Sequence, residues 1–168
     1  NIDGFRSDKI ELCPTLKEFR NENIYFSNMF TAAPYTFASL HAIFSSMYPS
    51  KNGMNAYYNI KKFKKNEITT LQEILRNNGY YTCCDIISKV VLPNQGFDEI
   101  KVFDELNVNF NERHKKIIKD LAKKEKFFLF LHYTETHKNL VRDIVEKYKL
   151  EDNDDEYFKN KEENNQRF

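Results

Sequence analysis

Lys126-Phe127-Phe128-Leu129-Phe130-Leu131-His132-Tyr133 is the run whose reading decides the fold. It is apolar at successive positions, so both of its faces must be covered, which is the condition of a central strand in a parallel sheet. Thr134-Glu135-Thr136-His137 follows it directly. Upstream, residues 111–124 carry Ile117, Ile118 and Leu121, predicting an amphipathic helix with a strongly basic outer face. Tyr80-Tyr81-Thr82-Cys83-Cys84 reads as a second strand of aromatic and small residues. Before it, Leu71, Ile74 and Leu75 mark one face of a helix that Gly79 terminates. Pro93-Asn94-Gln95-Gly96 is a loop leading to Phe97-Asp98-Glu99. Strands alternating with helices give an α/β class, a mostly parallel sheet sandwiched by helices.

Toward the amino terminus, Ile2 reads as the end of a buried strand. Asp3 then lies just past its carboxyl end, and Gly4 gives the backbone room to turn. In open α/β sheets ligands bind at that edge. Pro14 at a first helical position, with Leu16 and Phe19, starts a short helix that stops near Asn23, and Ile24-Tyr25-Phe26-Ser27 is a strand candidate. Residues 33–49 form a bend and a helix between Pro34 and Pro49, with Phe37, Leu40, Phe44 and Met47 as one apolar stripe. This helix should be buried and end at Tyr48-Pro49. Pattern alone leaves Thr36 as either the cap of that helix or, given partners from elsewhere, a nucleophile. Ser50-Lys51-Asn52-Gly53 is a turn, and the stretch to Asn66, with Lys61, Lys62, Lys64 and Lys65, reads as a solvated loop.

Residues 1–150 are expected to form one α/β domain, with a last helix carrying Leu140, Ile144 and Val145. Residues 151–168 are a polar tail, in which Asp152, Asp154 and Asp155 should face solvent. The chain of 168 residues has 26 basic and 25 acidic side chains, a balance that argues against a nucleic-acid binder relying on counterion release. Cys13, Cys83 and Cys84 have no metal-ligand spacing. No apolar run approaches the length of a membrane span, and no secretory signal is visible. The opening residues look like the end of a strand that begins upstream, so the chain reads as a cut piece. Its compartment is open: cytoplasmic, or membrane-anchored and periplasmic if an anchor precedes residue 1.

Several segments, in the same order, resemble the amino-terminal part of the sulfatases, within the alkaline phosphatase superfamily. They are Asn1-Ile2-Asp3-Gly4-Phe5-Arg6-Ser7-Asp8, Thr15-Leu16-Lys17-Glu18-Phe19 with Tyr25-Phe26-Ser27-Asn28, and the Thr36 stretch through Gly53. Residues 71–82, Gln95-Gly96-Phe97-Asp98-Glu99 and residues 127–137 agree, so the likeness runs to about residue 140. The resemblance implies that Asp3 binds a divalent metal ion (calcium, manganese, zinc or magnesium), that Thr36 is a metal-bound nucleophile and that His137 contacts the substrate's sulfuryl or phosphoryl group or its leaving oxygen. Lys89 falls near a substrate-binding lysine, although residues 86–91 depart from the family's wording. The implied substrate is a small-molecule, lipid-linked or glycan-linked sulfate or phosphate ester.

The departures carry information too. Family sulfatases have a cysteine or serine that is oxidised to formylglycine at the Thr36 position, followed by proline, serine and arginine where this chain has Ala38, Ser39 and Leu40. Threonine would yield a ketone, and direct attack by threonine is what the phosphodiesterases, phosphopentomutases and lipoteichoic acid synthase-like phosphotransferases of the superfamily do. Gly4 replaces the second aspartate of the classical pair, and nothing after His137 resembles the Asp-His pair that completes the metal site. The piece is therefore expected to be inactive in isolation. The competing reading is a binding or interaction module that keeps the fold and not the chemistry. Among the remaining polar residues, His41 reads as packed, His114 as surface, and His132 as buried or as support to a site residue. Ser39 is expected to bond its own helix backbone.

Overall fold

The computed structural model describes residues 1–55, 62–105 and 107–136. The last helix, the acidic run, the tail and His137 all lie outside the described residues. Three strands, β1 (Tyr81–Ile86), β2 (Glu99–Val102) and β3 (Phe127–Leu131), form a parallel sheet in the order β2-β1-β3. β1 and β3 are registered from Tyr81 opposite Phe127 to Asp85 opposite Leu131. Past β3, Ile2 pairs with Tyr133 in a further parallel bridge. The Asp3 N–H donates to the Tyr133 carbonyl at 2.8 Å and the Tyr133 N–H to the Asn1 carbonyl at 2.9 Å. Asp3 thus sits just past an isolated bridge beside the carboxyl end of β3, whereas a buried strand ending at Ile2 was expected and none is formed among the described residues. Ile2 itself is 42% exposed, because nothing among the described residues pairs on its other side. Gly4 takes a φ of 73°, the left-handed turn that its position requires.

Alternation along β1 sends its side chains to two different layers. Cys84 and Ile86 pack with Leu40 and Phe44 of α2 (Thr36–Ser45) and with Val91, Leu92 and Phe97. The Phe44 ring lies edge-on to Phe97, Phe128 and Phe130. Cys83 packs instead with Ile117 and Leu121 of α5 (Phe110–Leu121). The result is a helix-sheet-helix sandwich, the α/β architecture read from the sequence. Both strand cysteines are free and fully buried, and desolvation pushes the Cys83 thiol up to about 12, so both pack as small apolar side chains.

The helices α1 (Pro14–Glu22), α2, α4 (Leu71–Asn77) and α5 fall where expected, with differences that have physical causes. α2 ends at Ser45, short of Tyr48, because Ser46 adopts a left-handed φ of 55°. Pro49 then opens a short helix, α3 (Pro49–Asn52), where a turn was expected, since proline's fixed φ suits a first helical position. Ile24-Tyr25-Phe26 forms no strand: no described strand lies alongside to take its backbone hydrogen bonds, and Ile24 is 87% exposed. α4 buries Gln72, whose amide donates to the Pro93 carbonyl at 2.7 Å, while Leu71 and Ile74 face outward. A capping box between Thr70 and Glu73 starts that helix. Glu73 also accepts from Gln95 at 2.8 Å, drawing the loop so close that a Cβ on Gly96 would lie 2.6 Å from the Glu73 nitrogen.

His114 is the clearest reversal. It is buried on α5 in line with Phe110, Ile117 and Leu121, the face turned to the sheet, and not on the basic surface. His41 is packed as expected, its Nδ1 2.7 Å from the Phe37 carbonyl. Burial holds both imidazoles below their ordinary range, against the raising influence of Asp85 on His114 and of the Phe37 carbonyl on His41. Unfolded, each takes up its proton near pH 6.5. As pH falls below that value the unfolded chain binds more protons than the folded one, so the contribution is fully present above about 6.5 and is lost as pH drops toward the lowered folded values. Urea midpoints should accordingly be lower at pH 5.5 than at pH 7.5, with a smaller drop in His41→Gln. An equal drop in that variant would contradict the account for His41. Among the described residues, no helix is long and apolar enough to cross a membrane.

Candidate active site

The first turn of α2, the carboxyl end of β3 and the Ile2 bridge meet at Asp3. Thr36 is the first residue of α2, after Tyr35 in extended conformation, and no side chain caps the helix. The Thr36 hydroxyl is not spent on an amide of its own first turn. It donates across 33 residues to Asp3, with Oγ1 at 3.2 Å from each carboxylate oxygen. The helix start adds the positive end of its dipole beside that hydroxyl.

His132 completes the group. It directly follows β3, its N–H donates to the Asp85 carbonyl at 3.0 Å, and its Nε2 stands 3.3 Å from Asp3 Oδ2. The imidazole is 1% exposed, with the rings of Phe103 and Phe130 nearby. The Asp3 side chain keeps 19% exposure and is reachable from solvent. An ionised carboxylate only accepts, so both Thr36 and His132 direct a hydrogen at Asp3. The arrangement is a hydroxyl held against a carboxylate at a helix amino terminus, on the sheet edge where α/β proteins bind ligands.

A family model of the sulfatases matches residues 4–166. The chain belongs to the sulfatase family. No characterised protein and no solved structure gives a significant match. Membership makes this a sulfatase-like α/β chain of a hydrolase family whose members act on sulfate esters and are typically metal-dependent. The match takes in Thr36 and His132 and opens just after Asp3, which enters the site through its contacts.

The remaining candidates of this sulfatase-family chain fall elsewhere. Lys89 is exposed and lines a cavity of about 250 Å³ with His41, Phe63, Lys65 and Asn94, a lining that includes neither Thr36 nor Asp3. The Ser39 hydroxyl pairs with Thr31 Oγ1 at 2.9 Å rather than with its helix backbone, because Thr31 lies within reach of that face. Asp3 and Thr36 offer oxygen donors of the kind hard divalent cations take. Among the described residues, no three His, Cys, Asp or Glu side chains converge as a metal site. Sequence reading missed Asp85, a fully buried carboxylate on β1. It accepts two hydrogen bonds from Arg113 at 2.8 Å each and lies 3.1 Å from His114 Nε2. No local motif joins residues 28 positions apart; the signal was a charged residue inside an otherwise buried strand.

Proposed function

We propose that this chain carries the nucleophile of a sulfatase-family hydrolase or phosphotransferase in which Thr36 attacks a phosphate or sulfate ester, with phosphate favoured. The observation that carries the reading is the Thr36 hydroxyl held 3.2 Å from both oxygens of Asp3 and left uncommitted to its own helix. Oγ1 forms a bond to phosphorus as the bond to the ester's leaving oxygen breaks, and the hydroxyl proton passes to Asp3, which already accepts it. His137, outside the described residues, is assigned to protonate the departing oxygen. Water, or an acceptor alcohol, then displaces Thr36 and restores it. A divalent cation held by Asp3 and Thr36 together with further ligands would supply the positive charge that lowers the pKa of the hydroxyl and neutralises the anionic ester.

Phosphate is favoured because a threonine cannot become the formylglycine aldehyde on which sulfate hydrolysis in the family's classical members depends. The direct test assays the complete gene product with Mn²⁺ on matched esters: p-nitrophenyl phosphate, bis(p-nitrophenyl) phosphate and p-nitrophenyl sulfate. A phosphate ester should be turned over fastest. Preference for the sulfate would overturn the substrate assignment, and turnover of none would favour the non-catalytic module.

A further inference from the structure

His132 makes a contact that neither burial nor packing requires. Its Nε2 lies 3.3 Å from Asp3 Oδ2, while its other nitrogen, Nδ1, is buried and has no hydrogen-bond partner among the described residues. A side chain that served only to fill the space between Phe103 and Phe130 would lose nothing if it were apolar, and would leave no orphaned nitrogen. The imidazole therefore offsets the cost of burying Nδ1 through the bond that Nε2 makes to a charged acceptor. That bond fixes the tautomer, with the hydrogen on Nε2, since the carboxylate supplies none.

We propose that His132 is a positioning residue for Asp3. It holds Oδ2 and so presents the carboxylate in one orientation to Thr36 and to a bound divalent cation. The backbone supports this role. His132 is tied to β1 through its N–H at the Asp85 carbonyl, and Asp3 is tied to the next residue, Tyr133, through its own N–H. Two neighbouring positions just past β3 thus fix both the main chain and the side chain of Asp3. A carboxylate with one oxygen already engaged pays less rotational freedom on binding a cation, which is how supporting hydrogen bonds raise ligand affinity.

The inference rests on the reading of Asp3 as a cation ligand, and the test separates the two. Mn²⁺ affinity is measured by calorimetry on the complete gene product as wild type, His132→Leu, His132→Gln and Asp3→Asn, with thermal melts to establish folding. His132→Leu should weaken Mn²⁺ by about 10- to 100-fold. His132→Gln, whose amide N–H reaches as far as Nε2, should recover much of the loss, and Asp3→Asn should weaken binding at least as much as the leucine variant. Nitrogen NMR of the wild-type ring should show the Nε2–H tautomer. Wild-type affinity in folded His132→Leu, equal losses in the leucine and glutamine variants, or the Nδ1–H tautomer would each overturn the positioning role while a weakened Asp3→Asn leaves the cation assignment standing. Wild-type affinity in Asp3→Asn would overturn both.

Discussion

Thr36→Ala is expected to cut phosphoester turnover by the complete gene product at least about 10⁴-fold in kcat, the scale on which removal of a covalent nucleophile acts. The change deletes one hydroxyl at the first position of α2, where no side-chain cap exists to be lost. The hydrogen bonds to Asp3 at 3.2 Å are long and part-exposed, so their removal should cost about 1 kcal/mol or less of stability. Activity and stability are therefore predicted to separate, which distinguishes a nucleophile from a cap. Thr36→Ser keeps the hydroxyl and should keep turnover, whereas a cap would tolerate serine and alanine with similar activity. Acid quenching during turnover should trap a phosphoryl group on the peptide containing Thr36 in wild type and none in the alanine variant. Alanine turning over within tenfold of wild type would remove Thr36 from the chemistry.

The parts of this molecule that could be read from sequence are those where one local pattern had one physical cause. β3 was legible as a strand because a run apolar on both faces suits a sheet. It is not central, however: it ends the described order β2-β1-β3 and is only partly buried, because along most of its length no described strand lies on its other side. α2 was legible because its apolar stripe and flanking prolines agree. β2 was not, since Glu99-Ile100-Lys101-Val102 is short, alternating and charged, and becomes a strand only because β1 offers it a parallel edge from Cys83 to Ile86. Ile24-Tyr25-Phe26 shows the converse, strand-like residues with no described strand beside them. The lysines around His114 suggest a surface residue, but its spacing from Phe110 and Ile117 puts it on the inner face of α5. Of the site, Asp3 and Thr36 were nameable only through family likeness, because a pairing across 33 residues leaves no periodic trace. That His132 touches Asp3 follows from the Ile2 and Tyr133 bridge, which only the fold supplies.

The largest stability loss is expected at Asp85 rather than at the site itself. This carboxylate is completely buried on β1, yet it receives both Nε and Nη2 of Arg113 at 2.8 Å and lies 3.1 Å from His114 Nε2. Asp85→Ala would leave a guanidinium facing the sheet and a buried imidazole without its acceptor. Breaking a buried pair by removing one partner costs about 3–5 kcal/mol, and since the Arg113 side chain is 33% exposed and can turn partly to water, the lower end, about 3 kcal/mol, is expected. Against the 5–15 kcal/mol typical of a whole domain, that is enough to shift a urea midpoint by more than 1 M. Asp85→Asn should be nearly as damaging, because its amide would present hydrogens to a guanidinium that has only hydrogens to offer. The discriminating variant is the double change Asp85→Ala with Arg113→Met: removing both charges should recover stability relative to Asp85→Ala alone, since the penalty lies in the unpaired partner and not in the absent bond. If the two single losses simply add in the double variant, Asp85 and Arg113 are not coupled and the burial of this carboxylate must be stabilised by the backbone around β1 instead. The coupling also bears on the site, because the Asp85 carbonyl receives the His132 N–H at 3.0 Å. A β1 that loosens at Asp85 would release the residue that holds Asp3, so cation affinity should fall in Asp85→Ala and return in the double variant in step with the denaturation midpoint.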